Sequence, residues 1–190
     1  MAGERTALNL AMRLSGVATA TAALVAELEG TGVRLVDTRK TTPGLRVLEK
    51  YAVRCGGGTN HRFGLDDAAM LKENHLAWSG GIGPAVQAVR ASAPWPAKLI
   101  VEAETEEEAF QALQAGADGV LLDGFAAEEL RELVPRLRQA RPGVVLEASG
   151  VQPEALRATA ASGVDLISTS APITRSRWLD ISMRYEAVVA

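Results

Sequence analysis

Four short stretches of the chain combine residues that can do chemistry. Asp37-Thr38-Arg39-Lys40-Thr41 sets two adjacent cations and two hydroxyls in a turn, which suits an anionic group needing both a guanidinium fork and a point charge. Gly56-Gly57-Gly58-Thr59-Asn60-His61-Arg62 lets the backbone approach a ligand closely, although a triple glycine by itself equally fits a plain flexible loop. Lys72-Glu73-Asn74-His75 follows an apolar run; a lysine there can in principle form a Schiff base, but no neighbour in the sequence argues for its activation. Glu147-Ala148-Ser149-Gly150 precedes a helix expected near Pro153, and Ser-Gly before a helix N-terminus is a seat for phosphate. Glu102 and Asp123 end consecutive apolar runs, so their carboxylates should be neighbours. Such a pair can hold a divalent metal, stabilise a cation developing on a sugar, or act as acid and base. A rim salt bridge to one of the many arginines is the competing reading. His61 and His75 are the only histidines, which excludes a multi-histidine metal site.

Charge is distributed unevenly around these stretches. From Arg34 to Arg62 seven cations face only Asp37 and Glu49, a net of +5 inside a chain whose total is -3. Turn formers rather than helix formers separate those cations, so the segment reads as a cradle for a small polyanion, with a solvated loop of incidental charge as the alternative. From Glu102 to Glu132 ten carboxylates face one cation, Arg131. Glu104, Glu106, Glu107 and Glu108 are expected to sit in the first turn of a helix, where they complement its dipole. A polyanion cradle beside two carboxylates fits transfer of a phosphorylated sugar better than aldol chemistry.

The elements that position these groups can be read from periodicity. The first 29 residues read as one helix whose inner face carries Leu8, Met12, Ser15 or Gly16, Thr19, Ala23 and Ala26, stopped by Gly30 and Gly32. Short β-branched runs at 33–36, 68–71, 98–101, 119–122, 143–146 and 164–167 alternate with helical patterns at 81–92, 105–115, 126–140 and 152–162. That alternation means βα units and a parallel sheet. Glu102, Asp123, Glu147 and Ser168 recur at spacings of 21, 24 and 21 residues, a barrel-like cadence. The expected fold is α/β, an open or incomplete (β/α) barrel of six to seven parallel strands, the seventh near Tyr51–Cys55; a doubly wound sheet is the runner-up. In such a barrel Asp37, Lys72, Glu102, Asp123, Glu147 or Ser149, and Ser168 face one rim.

Length and composition set the outer bounds. The 190 residues suit one large domain; a 47% hydrophobic content with 23% charge is globular, and the pI is near 5.5. Eight scattered aromatics and a net negative charge give no sign of nucleic-acid binding. No apolar run reaches the roughly 18 residues of a bilayer span, and the N-terminus has charges where a signal peptide is apolar. The single Cys55 cannot form an intramolecular disulfide and agrees with a reducing, cytoplasmic location.

GERTALNLAMRLSGVATAT, the long block DTRKTTPGLRVLEKYAVRCGGGTNHRFGLDDAAMLKENH, IVEAET, VLLDGF and LEASG together resemble, in order and over essentially the whole chain, the barrel domain of the quinolinate phosphoribosyltransferase family. The resemblance implies condensation of quinolinate with phosphoribosyl pyrophosphate, giving nicotinate mononucleotide, pyrophosphate and carbon dioxide in de novo NAD synthesis, with Mg2+. By motif, Thr38, Arg39, His61, Arg62 and Lys72 would hold the quinolinate carboxylates, and Lys40 and Lys72 would reach the phosphoribosyl donor. Glu102 and Asp123 would hold the ribose hydroxyls, directly or through magnesium, and stabilise an oxocarbenium-like transition state; Ser149 and Gly150 would bind the 5′-phosphate. Arg5 matches an arginine that the family supplies across a homodimer interface.

Two departures from the family pattern follow. Family members carry an α/β domain of roughly a hundred residues before GERT, whereas here Met1 stands almost at that motif, so the chain is expected to be a fragment, a truncated gene product or an incomplete enzyme. On this reading residues 1–30 form the helix that links to that domain, 31–178 the barrel, and 179–190 a tail whose LDISM stretch (179–183) is a strand that pairs with it. In STSAPITRS (168–176), Ser170 replaces a phosphate-loop glycine and Arg175 a usual histidine, so both are assigned to the phosphate site on weaker grounds. A non-catalytic or dimerising remnant, and a relative with another anionic substrate such as the molybdenum-transport-associated homologues, are the alternatives.

Overall fold

The apolar runs that follow the glycine stops form strands, and each pairs in parallel with its neighbours. In a computed structural model describing residues 3–184 they are β1 (Arg34–Val36), β2 (Ala69–Leu71), β3 (Leu99–Ala103), β4 (Gly119–Asp123), β5 (Val145–Ser149) and β6 (Leu166–Ser168). They make one sheet in the order β1-β6-β5-β4-β3-β2. The helices are α1 (Glu4–Glu27), α2 (Arg46–Cys55), α3 (Glu73–Ser79), α4 (Ile82–Ser92), α5 (Glu106–Ala115), α6 (Ala127–Ala140), α7 (Leu156–Ala160, entered through a 3₁₀ turn Pro153–Ala155) and α8 (Ala171–Thr174). Period-2 alternation splits the strands cleanly. Val101, Leu122, Leu146 and Ile167 are fully buried in the core that the strands share with Leu113, Leu130, Leu137 and Leu156 of the helices. The intervening Glu102, Leu121, Asp123, Glu147 and Ser149 face an interior cavity instead.

A seventh rung exists, but outside Tyr51–Cys55. The Thr59 N–H donates to the Leu35 carbonyl (2.8 Å) and the Asp37 N–H to the Thr59 carbonyl (3.1 Å), a single parallel bridge beside β1. The sheet therefore runs from Thr59 through β1 round to β2 and stays unclosed, an open barrel with its seam between Thr59 and β2. Across the seam, Arg62 Nη1 donates to the Ala68 carbonyl at 2.9 Å. Residues 51–55 belong to α2, whose buried face is Glu49, Lys50, Ala52 and Val53. Two of those four are charged, so the helical period is hidden from an apolar pattern; each ion is buried because it has a partner, Arg13 for Glu49 and Asp37 for Lys50.

The helix α1 keeps Gly16 of the expected inner line but otherwise buries a different one. Gly16, Val17, Thr21 and Leu28 are buried, while Thr19, Ala23 and Ala26 are exposed. An alanine-rich helix offers several equally periodic faces, and Arg13 selects among them: it donates to Glu49 Oε1 (2.8 Å), Ser176 Oγ (2.8 Å) and the Ile173 carbonyl (2.6 Å), tying α1 to α2 and α8. By length and composition alone α1 is apolar enough to cross a bilayer, contrary to the sequence reading; here its middle is docked on α2 and α8. Residues 179–183, expected as a strand pairing with a further domain, form no strand among the described residues. This run meets α1, with the Leu179 N–H on the Met12 carbonyl (3.2 Å). Three of the four glutamates behave as read, Glu106, Glu107 and Glu108 in the first turn of α5, whereas Glu104 stands before the N-cap: Thr105 accepts from the Glu108 N–H (3.2 Å), and the Glu108 carboxylate accepts the Thr105 N–H in return.

Gly16 is where the tail meets α1: a Cβ there would overlap the Arg177 carbonyl. In an exposed helix, Gly→Ala is worth about 1 kcal/mol of added stability. Gly16→Ala is expected instead to lose about 1–3 kcal/mol, the usual range for overpacking. A urea midpoint equal to or above that of the unmodified chain would show that the 176–178 segment does not pack there.

Candidate active site

The strand ends converge as the cadence requires. Asp37, Lys72, Glu102, Asp123, Glu147, Ser149 and Ser168, from all six strands, line one cavity of about 450 Å3 at the C-terminal mouth of the barrel. Thr38, Arg39, Lys40, His61 and Arg62 line it from the other side, and Thr38, Lys40, Ser149 and Ser168 are shared with a recess of about 170 Å3. Gly150, Ser170 and Arg175 complete that recess, with Arg175 Nη1 on Gln152 Oε1 (3.2 Å). Gly150 has φ +76°, which a side-chain-bearing residue adopts only with strain, and its Cβ position lies against Asp123 Oδ1 and the Gly124 backbone. Arg5 is exposed in the first turn of α1 and lines neither space. His75 also lies outside both, where its Nδ1 accepts the Lys72 N–H (3.1 Å) at the start of α3.

Register explains the acidic wall. Glu102 of β3 stands opposite Leu121 of β4, which stands opposite Glu147 of β5, so one inward row carries two carboxylates separated by a leucine. Leu71 pairs Val101, which puts Lys72, one residue on, beside Glu102. Their side chains form an ion pair, an opposite-charge cross-strand neighbour. Burial raises the Glu102 pKa above its ordinary value, and the like charges of Asp123 and Glu73 add to that, outweighing the opposing pull of Lys72. Glu73, Glu102 and Glu104 each bring one carboxylate oxygen within 4.8 Å of the others.

The basic wall is held by a buried carboxylate. Asp37 Oδ1 accepts Lys50 Nζ (2.5 Å) and the His61 N–H (2.8 Å), and its Oδ2 accepts Asn60 Nδ2 (2.6 Å). Lys50 Nζ also donates to the His61 carbonyl (3.0 Å). Asp37 is thus the anchor of the Asn60–Arg62 segment. Desolvation, then the adjacent Arg39 cation, lower the Arg62 pKa from its usual value, outweighing the opposing pull of the Asp67 carboxylate. Sequence reasoning missed Arg46, Met70, Leu121 and, as a site residue, Glu147, which also line the cavity. Arg46 pins the turn by donating to Thr41 Oγ1 (3.1 Å) and the Arg39 carbonyl (3.3 Å). Its position in the cation-rich segment was the available signal; Met70 and Leu121 carried none beyond strand alternation. Below the rim lies a second, largely apolar space of about 580 Å3 bounded by Phe63, Ile100, Val145 and Leu166, and Glu147, His61 and Arg62 border both spaces.

Comparison with known proteins gives a consistent answer. Residues 17–184 match the family described as "Quinolinate phosphoribosyl transferase, C-terminal domain". A probable nicotinate-nucleotide pyrophosphorylase [carboxylating] of Synechocystis sp. is 50% identical over 185 residues, 97% of this chain and 63% of that protein. The nicotinate-nucleotide pyrophosphorylase [carboxylating] of Mycobacterium leprae is 43% identical over 184 residues, covering 96% and 64%. Among solved structures, NadC from Streptococcus pyogenes superposes with a TM-score of 0.89 at 38% identity, covering 96% of this chain and 64% of that one. The nicotinate-nucleotide pyrophosphorylase from Francisella tularensis gives 0.87 at 43% identity, covering 94% and 63%. The chain spans slightly less than two thirds of the length of these relatives. With its open barrel, its rim of strand-end side chains and this agreement over nearly its whole length, the chain belongs to the quinolinate phosphoribosyl transferase family and corresponds to that family's C-terminal domain.

Proposed function

We propose that this chain provides the barrel part of an active site that transfers a phosphoribosyl group to quinolinate, yielding nicotinate mononucleotide, pyrophosphate and carbon dioxide in de novo NAD synthesis. The observation that carries the reading is one cavity with Arg39, Lys40 and Arg62 on one wall, Glu102 and Asp123 on the other, and a serine- and glycine-lined recess at its side. Quinolinate brings two carboxylates, for which Arg39, Arg62 and Lys72 supply cations, with Thr38 and His61 beside them. The phosphoribosyl donor brings a pyrophosphate, met by Lys40 and Lys72, and a 5′-phosphate that Ser149, Gly150, Ser170 and Arg175 would take in the recess. The pyridine nitrogen attacks the sugar's C1 as the C1–O bond to pyrophosphate breaks, and positive charge builds on the sugar. Glu102 and Asp123 stabilise that charge and orient the ribose hydroxyls. The bond from the adjacent ring carbon to its carboxylate then breaks, carbon dioxide leaves, and the bonding electron pair stays on that carbon, stabilised by the cationic ring nitrogen until the carbon takes up a proton.

The residues present fit a hard divalent cation: Glu102 brings a carboxylate oxygen within 4.8 Å of those of Glu73 and Glu104, and Asp123 lines the same cavity close enough to act on the Glu102 charge. Magnesium held by Glu102 and Asp123 would neutralise charge on the departing pyrophosphate. Arg5, outside the cavities of its own chain, would serve the cavity of a second copy in a homodimer. The lone exposed thiol of Cys55 supports a reducing, cytoplasmic setting.

Pyrophosphate release should require quinolinate and the phosphoribosyl donor together, and Arg39→Ala or Arg62→Ala should each lower kcat/KM by at least about 100-fold. Turnover that survives both substitutions overturns the reading; quinolinate binding by calorimetry without pyrophosphate release would favour a non-catalytic remnant. Glu102→Gln should lower kcat more than it raises KM, since the carboxylate acts as charge develops.

The same substitution has a second readout. Because the folded state raises the Glu102 pKa, the ionised form is disfavoured by folding, a penalty present at neutral pH and relieved as pH falls through the folded pKa toward the unfolded one. Glu102→Gln should therefore be more stable than the parent at pH 7, with the difference vanishing toward pH 4. A constant difference across that range in denaturant titrations would contradict the electrostatic assignment.

A further inference from the structure

We propose that Glu147 is a positioning residue that acts through His61: it fixes the imidazole in one tautomer and, by way of that ring, sets Arg62 on the cavity wall. The role assigned to Arg62 rests on the functional reading above, whereas the tautomer does not.

Glu147 lies inward on β5, 3% exposed, with Oε2 3.1 Å from His61 Nε2. On the other side of the ring, His61 Nδ1 lies 2.7 Å from the Arg62 backbone nitrogen, whose hydrogen it must accept. A nitrogen that accepts carries no proton, so the ring proton is on Nε2 and is donated to Glu147. The same residue's main chain is equally committed, its N–H to Asp37 Oδ1 (2.8 Å) and its carbonyl to Lys50 Nζ (3.0 Å). All four polar groups of His61 are therefore engaged within the chain, so His61, set beside the quinolinate carboxylates above, serves them through Arg62 rather than through a ring nitrogen. What the ring does instead is hold Arg62. With its N–H on the imidazole and its Nη1 on the Ala68 carbonyl (2.9 Å) across the barrel seam, Arg62 is fixed at both ends, and its remaining guanidinium N–H groups are without a hydrogen-bond partner among the described residues.

Stability alone does not account for a carboxylate at 147. Glu147 Oε1 is buried and has no hydrogen-bond partner among the described residues, a cost that a leucine, like its row neighbours Leu121 and Leu166, would avoid. The pair also stands between the rim cavity and the apolar space below it, both of which it borders, so a side chain that released the ring would let the Asn60–Arg62 segment move toward either side. The arrangement parallels a carboxylate that orients a metal-ligating histidine through its far nitrogen, here with a backbone N–H of a binding residue in place of the metal.

Long-range 1H–15N correlation spectra of the chain decide the first half, since only His61 and His75 contribute and His75→Gln identifies the other. Expected is a single neutral His61 tautomer with the proton on Nε2, retained in Glu147→Gln, whose amide oxygen still accepts, and lost to a mixture in Glu147→Leu. Steady-state kinetics decide the second half. Glu147→Leu should raise the quinolinate KM by about tenfold or more, the effect typical of removing such an outer partner, while the phosphoribosyl pyrophosphate KM stays within about threefold; Glu147→Gln should restore both. A proton on Nδ1 in the parent overturns the proposal even if Glu147→Leu does not fold. So does a Glu147→Gln variant as impaired as Glu147→Leu, which would make the charge rather than the hydrogen bond the active feature. If no variant, parent included, turns over quinolinate while the tautomer pattern holds, the functional reading fails and the His61 assignment stands.

Discussion

Asp37 ends β1 with 2% of its surface exposed, and a carboxylate buried that deeply persists only if its oxygens are filled. Lys50, Asn60 and the His61 N–H fill them, and they come from two places: α2, and the Asn60–Arg62 segment that follows the Thr59 bridge. A single bridge at Thr59 has few ladder bonds of its own, so the seventh rung depends on side-chain contacts, among them those to Asp37. Glu49 makes the same demand one residue before Lys50 and is met by Arg13 and by the Thr42 N–H and hydroxyl. Adjacent buried ions on α2 thus face opposite ways along the chain, one binding α1 and one binding the active-site wall. The anchoring of the long first helix and the placing of Arg62 are consequences of one short helix with two satisfied charges.

The regular part of the fold was legible because its signals are local. From β3 to β6 every strand opens on a short apolar run, and the helices between them have amphipathic faces, so periodicity suffices. Legibility fails where burial depends on a distant partner. α2 buries Glu49 and Lys50, whose partners lie 36 and 13 residues away, and no window of its own sequence can reveal that they are neutralised. The inner face of α1 was misread for a related reason: alanine and leucine surround the helix, and Arg13 together with the close approach of Arg177 to Gly16 decides which line turns inward.

In the site, position was readable and role was not. Strand-end residues must share a rim in a parallel barrel, which is why Asp37, Lys72, Glu102, Asp123, Ser149 and Ser168 came together as expected. The same rule gives no hint of which of them faces a ligand and which is consumed by the protein. Asp37 is wholly consumed, Glu102 is shared with Lys72, and Glu147 meets His61 from 86 residues away. Two carboxylates on one inward row, Glu102 and Glu147, therefore have different fates: one opens onto the cavity beside Asp123, the other faces the basic wall.

The same accounting revises the charge of the basic segment. Of its seven cations, Lys50 belongs to Asp37, Arg46 is engaged with Thr41 and the carbonyls of Arg39 and Phe63, and Arg34 borders the lower space. Arg54 lies on α2 away from the mouth of the barrel. Arg39, Lys40 and Arg62 remain on the rim without a carboxylate within salt-bridge reach among the described residues. Three cations without a salt bridge stand on one wall, two of them guanidiniums close enough that one lowers the pKa of the other, with Asp67 the opposing charge on Arg62. The excess that first looked like a property of a whole segment is concentrated in these three, and the rest of the segment's charge is what builds the frame that keeps them apart and facing inward.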